Sequence, residues 1–120
     1  MTDVLARADA LVATLVAAGV SATSDPSKVD ALFKQSKGSA VVLVVPLPTF
    51  TNPMLCGDWT TTWQIVALAP RAGSKIPATR LVAAVEATVD ALPISQAVPG
   101  SYALEEGQTA YPAYIMTMED

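Results

Sequence analysis

Few side chains in this sequence could perform chemistry, and none has an obvious partner. The 120 residues contain no histidine and a single cysteine, Cys56. A thiol nucleophile needs a nearby base to form the reactive thiolate, and histidine is the usual base. We therefore expect Cys56 to be a small, partly buried apolar residue and not a nucleophile.

Two pairs of carboxylates are close enough in sequence to be considered for acid–base catalysis. Glu86 and Asp90 are four residues apart on a predicted helix, and Glu105 and Glu106 fall in a predicted hairpin turn. Neither pair has the third ligand that a metal site would need. The glycines occur singly, so the phosphate-binding motif is absent. The sequence predicts no catalytic, cofactor-binding or metal site, and we expect the protein not to be an enzyme.

The composition favours a role in assembly. Apolar residues make up 52% of the chain and charged residues 15%, whereas about a quarter of a typical domain is charged. So few charges leave apolar or neutral surface exposed, as is common at protein–protein contacts. An alanine-rich composition inherited from a GC-rich genome is the alternative explanation. The net charge of −4 and the lack of a basic cluster argue against nucleic-acid binding as the main task.

The length predicts a single domain over residues 1–120. The lone cysteine cannot form an internal disulfide, so nothing indicates an oxidising compartment. Near the N-terminus, charged residues interrupt the apolar positions, which argues against a membrane segment. We expect a cytoplasmic-type soluble protein.

Apolar periodicity predicts two main helices, over 3–18 and 77–92. We expect Asp3 or Thr2 to cap the first helix and Gly19 to end it. The predicted buried stripe of the first helix is Val4, Leu5, Ala8, Leu11, Val12, Leu15 and Val16. That of the second helix is Leu81, Val82, Val85, Val89 and Leu92, with Glu86 and Asp90 on the opposite side.

The segment 26–35 follows the sequence Ser24-Asp25-Pro26, which is typical of a helix start. A short helix anchored by Val29, Leu32 and Phe33 is one interpretation, and an extended loop pinned by the same side chains is the other.

Strands are predicted over 20–23, 39–47, 59–69, 94–104 and 109–118, with long loops over 48–58 and 70–77. Alternation places Trp59 and Trp63 on the same side, either in the core or as interface anchors. Pro99-Gly100 predicts a bulge or an edge position in its strand, and Pro112 predicts the same for the last strand. The fold class is therefore α+β, with a mixed, largely antiparallel four- to five-stranded sheet and the two main helices packed on one face.

In its element order and motifs, the chain resembles the tail terminator (tail completion) proteins of long-tailed bacteriophages, particularly those of actinobacteria. The similar segments run nearly the full length and are packing and turn motifs. They comprise the leading helix, Ser24-Asp25-Pro26, Val41-Val42-Leu43-Val44-Val45-Pro46, the run from Trp63 to Pro70, Ala91-Leu92-Pro93-Ile94, Val98-Pro99-Gly100-Ser101-Tyr102 and Pro112-Ala113-Tyr114.

This resemblance implies a six-membered ring that caps the tail tube and joins it to the head. Its partners would be the major tail tube protein and a head–tail connector or stopper protein, with DNA only as cargo passing through the channel. The location would be the tail or neck of the virion, after assembly in the host cytoplasm. The resemblance brings no catalytic residue, and it implies a more extended segment where a short helix over 26–35 is predicted.

Within such a ring, we expect contacts between copies at the loops 48–58 and 70–77 and at an exposed strand edge. The predicted interface residues are Trp59, Arg71, Lys75, Glu86 and Asp90, with the two basic side chains meeting the two acidic ones of the adjacent copy.

Two other functions remain open at this point. The chain could be a different head–tail connector or minor tail protein of the same particle. It could also be a small regulatory module with a ferredoxin-like sheet, which should form a dimer with a polar ligand pocket. The position of the protein in the virion and its oligomeric state would distinguish these possibilities.

Overall fold

The computed structural model describes residues 4–35, 40–45, 49–51, 60–69, 76–103 and 111–119. The helices in these ranges are α1 (Val4–Ala17), α2 (Val29–Gln35) and α3 (Ile76–Ala91), and a 3₁₀ turn over Pro26–Lys28 leads into α2. The strands are β1 (Ala22–Thr23), β2 (Val41–Val44), β3 (Thr49–Thr51), β4 (Thr60–Leu68), β5 (Ile94–Tyr102) and β6 (Tyr111–Glu119).

The strands form one mixed sheet in the order β1-β2-β4-β6-β5, and β3 pairs with the first residues of β4. Only β1 and β2 run parallel, and the other pairs are antiparallel. The predicted α+β class is confirmed, with six strands where four or five were expected. The additional strand is β3, which falls inside the predicted loop 48–58. Three residues are too few to show a period-2 pattern.

The two main helices pack on one face of the sheet, as predicted. α1 contacts β1 and β2, α3 contacts β4, β5 and β6, and the two helices touch each other. We call the face of the sheet that these two helices cover the helical face. Its core consists of Ala8, Leu11, Leu15, Val20, Ala22, Ala40, Val42, Val44, Trp63, Ile65, Ala67, Ala69, Leu81, Leu92, Met116 and Met118.

The end of α1 follows from Gly19. This glycine has a φ of 87°, a left-handed conformation that side chains with a Cβ rarely adopt. The N–H of Val20 donates to the carbonyl of Leu15, and that of Gly19 donates to the carbonyl of Val16, each at 3.0 Å. These are the two hydrogen bonds of the Schellman motif, so the predicted glycine cap is confirmed.

The buried stripe of each main helix is narrower than predicted. In α1, Leu5 and Val16 are exposed. In α3, Leu81 is buried, as is Leu92 just after the helix, but Val82 and Val89 are exposed and the prediction for them was wrong. Thr88 is buried instead, because its hydroxyl donates to the carbonyl of Ala84 at 2.8 Å. A threonine whose hydroxyl is satisfied within the helix can occupy a core position at little cost.

The opposite face of the sheet, which we call the α2 face, carries a second and smaller core. Its buried residues are Val29, Val41, Leu43, Val66, Leu68, Tyr111 and Ala113. Leu32 and Phe33 pack against this cluster, and the rings of Phe33 and Tyr111 lie 5.5 Å apart. The helical interpretation of 26–35 and its three anchors are therefore confirmed, in contrast to the extended segment that the resemblance implies.

Prolines occur in both strands of the β5–β6 pair. β5 is at the edge of the sheet, as Pro99-Gly100 predicted, but its irregularity falls between Ile94 and Gln96. The expectation for Pro112 was wrong, because β6 lies between β4 and β5. Pro112 is the second residue of β6 and faces Ala69, the residue that follows β4, so its missing N–H leaves a bond unmade only at the end of the ladder between the two strands.

Candidate assembly surface

Six large apolar side chains are exposed on the described surface: Leu5, Val16, Phe50, Val82, Val89 and Val98. Two lie on α1, two on α3, one on β3 and one on β5. Isolated exposed apolar residues are ordinary in soluble proteins, so their arrangement matters more than their number.

The two valines of α3 are closely spaced on one side of the helix. Val82 and Val89 are seven residues apart, which places them at almost the same angle and roughly 10 Å apart along the helix axis. They are 43% and 45% exposed. Glu86 lies between them on the same side, four residues after one and three before the other, and is itself exposed. Asp90 is exposed one turn beyond Glu86.

We call this group, Val82, Glu86, Val89 and Asp90, the α3 patch. The sequence prediction placed the two acids on the opposite side of the helix from the two valines. The structure places all four on the exposed side, because the core side is occupied by Leu81, Thr88 and Leu92. The patch thus combines apolar side chains with two negative charges, the composition expected of a surface that binds an apolar and basic partner.

The exposed apolar residues of α1 are arranged differently. Leu5 and Val16 are eleven residues apart, so roughly 16 Å of helix separates them. The exposed positions between them include Ala6, Asp9 and Ala13. α1 therefore presents two isolated apolar side chains, whereas α3 presents a patch.

The other predicted interface residues cannot be placed on this surface. Trp59, Arg71 and Lys75 lie outside the described residues, as do Cys56 and the pair Glu105 and Glu106. Their assignment to contacts between copies stays a prediction.

Trp63 is a core residue with an unusual polar atom. It is 1% exposed and packs in the cluster of the helical face. Its indole Nε1 is buried and has no hydrogen-bond acceptor among the described residues. With respect to the described ranges, this N–H has lost its water without gaining a partner, which costs free energy in the folded state.

The polar cluster at Asp25 has a structural explanation. The carboxylate of Asp25 accepts hydrogen bonds from the Ser27 hydroxyl at 2.8 Å and from the Ser27 backbone N–H at 3.0 Å. These two bonds, with a smaller contribution from the charge of Lys28, hold the pKa of Asp25 below its ordinary value. Asp25 thereby caps the 3₁₀ turn that leads into α2, as Ser24-Asp25-Pro26 predicted.

No group of three or more histidine, cysteine, aspartate or glutamate residues in the described part of the chain could hold a metal ion. Among the described helices, none combines the length and hydropathy needed to cross a membrane.

No protein family, curated protein or solved structure matches this chain.

Proposed function

We propose that this chain is a structural virion protein that forms a ring, caps a phage tail tube and joins it to the head connector. The observation that carries the proposal is the α3 patch, where two half-exposed valines flank a carboxylate on an otherwise charge-poor chain. The resemblance of its sequence motifs to those of tail terminator proteins favours this type of assembly. A subunit of this kind would act through contacts between copies, without a reaction centre.

The contact that we propose joins the α3 patch of one copy to the loop 70–77 of the next. Arg71 and Lys75 of that loop would pair with Glu86 and Asp90, and the valines would pack against the loop's apolar atoms. Because the two surfaces differ, the contact is heterologous, and repeating it closes a ring when the rotation between copies divides a full turn evenly. In the tail terminator type, the ring has six members.

The apolar part of the contact supplies most of the proposed binding free energy. Burying the exposed half of a valine side chain contributes about 1 kcal/mol. Two valines at each contact therefore contribute about 2 kcal/mol, repeated around the ring. The ion pairs contribute mainly to orientation and to the choice of partner, since exposed pairs are worth at most about 1 kcal/mol each.

Native mass spectrometry and negative-stain electron microscopy of the purified protein test this proposal. We expect rings from the wild type and monomers from the double variant Val82→Asp/Val89→Asp. Leu5→Asp/Val16→Asp is the matched control, since it places the same two charges at exposed apolar positions of α1. Circular dichroism should show all three proteins folded. Rings that persist in the double variant would exclude the α3 patch as the contact.

A charge exchange tests the pairing itself. Reversing both basic charges, Arg71→Glu/Lys75→Glu, should weaken ring or tail assembly while leaving the monomer folded. Adding Glu86→Lys/Asp90→Lys should restore it, because opposite charges again face each other. Unchanged assembly in the first variant would contradict the proposed pairing. A stable dimer of the wild type would instead favour the ligand-binding regulatory module over the ring.

A further inference from the structure

The outer edge of β5 is free in the described structure, and the direction of its backbone groups determines whether another strand can pair there. In an antiparallel sheet the N–H and C=O of one residue point to the same side, and consecutive residues alternate. Two hydrogen bonds fix this alternation in β6. The N–H of Ala69 donates to the Pro112 carbonyl at 2.9 Å, so Pro112 faces β4. The Ser95 hydroxyl donates to the Thr117 carbonyl at 2.9 Å, so Thr117 faces β5.

The strand register carries this alternation into β5. Ser101 lies opposite Pro112, and Pro99 lies opposite Tyr114. Since Pro112 faces β4, both of these pairs are of the type that exchanges no hydrogen bonds between β5 and β6. The backbone groups of Ala97, Pro99 and Ser101 therefore point away from β6, to the outer edge. Pro99 removes no bond from the ladder, which is why a proline is tolerated in the strand.

Along this outer edge, the regular series of backbone N–H donors is interrupted at one position. Ala97 and Ser101 provide N–H groups that are roughly 14 Å apart along the strand, while a neighbouring strand presents its carbonyls every 7 Å or so. Pro99, midway between them, has no N–H, and its ring projects towards any approaching backbone. The strand is nine residues long, and Ser95 to Ser101 are exposed, the kind of edge that otherwise templates pairing with another chain.

We propose that Pro99 closes the β5 edge to strand addition, and that the strand it excludes is β5 of a second copy. Two identical strands pair antiparallel about a two-fold axis. In the register centred on Pro99, Ala97 of each copy lies opposite Ser101 of the other, and the two prolines face each other. Neither proline can donate, so both central hydrogen bonds of the pairing are missing. This inference does not depend on the proposed function, and for β5 it runs against the expectation that copies meet at an exposed strand edge.

Restoring the N–H at this position tests the inference. In Pro99→Val, pairing of two edges should raise the weight-average mass in sedimentation velocity about twofold over the wild type at the same concentration. Pro99→Ala also restores the donor and serves as the second variant should valine disturb folding. Pro112→Val is the matched control in the same hairpin, because its restored N–H faces β4, and its mass should equal that of the wild type. Equal masses for the wild type and both folded Pro99 variants would overturn the inference.

Moving the proline separates edge closure from a general effect of substitution. In Pro99→Val/Ser101→Pro, a proline again occupies an outward-facing position, and the mass should return to that of the wild type. If Pro112→Val associates as strongly as Pro99→Val, or if the moved proline does not reverse the association, the inference fails.

Amide hydrogen exchange tests the inference in the wild-type protein. If the edge stays closed, the N–H groups of Ala97 and Ser101 should exchange at the rate of exposed amides in whatever assembly the wild type forms. The N–H of Val98, which points to β6, should be protected in the same sample. Protection of Ala97 and Ser101 would mean that copies do pair along β5, and would contradict the role of Pro99.

Discussion

Along β4, the side chains on the two faces of the sheet are buried over different lengths of the strand. On the helical face, the inward side chains of β4 are buried from Trp63 onwards. On the α2 face, burial in β4 begins only at Val66, whereas Gln64 is exposed and Thr62 and Thr60 are half-buried. One strand thus has an apolar side along most of its length and a side that changes from polar to apolar midway.

The difference follows from the lengths of the helices that cover each face. α1 and α3 have 14 and 16 residues, whereas α2 has seven and is roughly 10 Å long. β4 has nine residues and extends roughly 30 Å, so α2 can cover about a third of it. Threonine and glutamine occupy the positions beyond its reach. The positions of the polar residues along a strand therefore show how far the covering helix extends.

The largest expected effect comes from removing a core side chain on the helical face. Leu15 of α1 is fully buried, and Leu15→Ala should reduce the free energy of unfolding by about 3 kcal/mol, through lost burial and a residual cavity. Urea denaturation followed by circular dichroism measures this change. Leu5→Ala, the same substitution at a 65% exposed position of α1, should cost less than about 1 kcal/mol. Equal costs would mean that α1 does not pack by the stripe described.

A smaller loss is expected at the point where α2 attaches to its face. Val29 is fully buried, and Val29→Ala should reduce the free energy of unfolding by about 2 kcal/mol, because two carbon atoms leave the core. Lys34→Ala, at an exposed position of α2, is the control and should change it by less than about 0.5 kcal/mol. A larger loss for Val29→Ala than for Leu15→Ala would reverse the ranking of the two faces.

The smallest effect is expected from a change to the largest core side chain. Trp63→Phe removes the buried N–H that lacks an acceptor among the described residues, and it also removes apolar volume. These opposite contributions should leave the free energy of unfolding within about 1 kcal/mol of the wild type. Trp63→Ala, which keeps neither ring nor volume, should cost about 3–5 kcal/mol in the same urea assay. A loss near that size for Trp63→Phe would show that the indole N–H does have a partner.

Much of the fold was predictable because long periodic patterns have few alternatives. The nine residues of β4 fall within the strand predicted over 59–69, and Trp63 occupies one of the two positions that the prediction left open for it, the core. The start of the 26–35 helix was predictable for a local reason, since Asp25 caps it with its own side chain. Features of this kind depend on neighbours in sequence.

The errors arose where tertiary contacts decide between similar residues. On α3, apolar character alone favours Val82 and Val89 over Ala84 and Thr88 as core positions. In the structure Thr88 is buried with its hydroxyl bonded to Ala84, and Ala84 packs against the core. The expectation for Pro112 was wrong because the effect of a proline on a strand depends on how near the end of the ladder its missing N–H falls. Of the five predicted interface residues, only Glu86 and Asp90 are described. Their grouping with Val82 and Val89 depends on which side of α3 is exposed, so the α3 patch became visible only from the structure.

The central position of β6 has a consequence for the order in which the protein can fold. β5 reaches the sheet only through β6, which lies between it and β4. During synthesis, the residues of α1, α2, β2, β3 and β4 leave the ribosome well before residues 111–119 do. Until those nine residues arrive, β5 has no neighbour among the described strands, and the edge of β4 that β6 will occupy is open. Stable packing of the nascent chain therefore has to wait for its last described strand, and the interval exposes β4 to wrong partners.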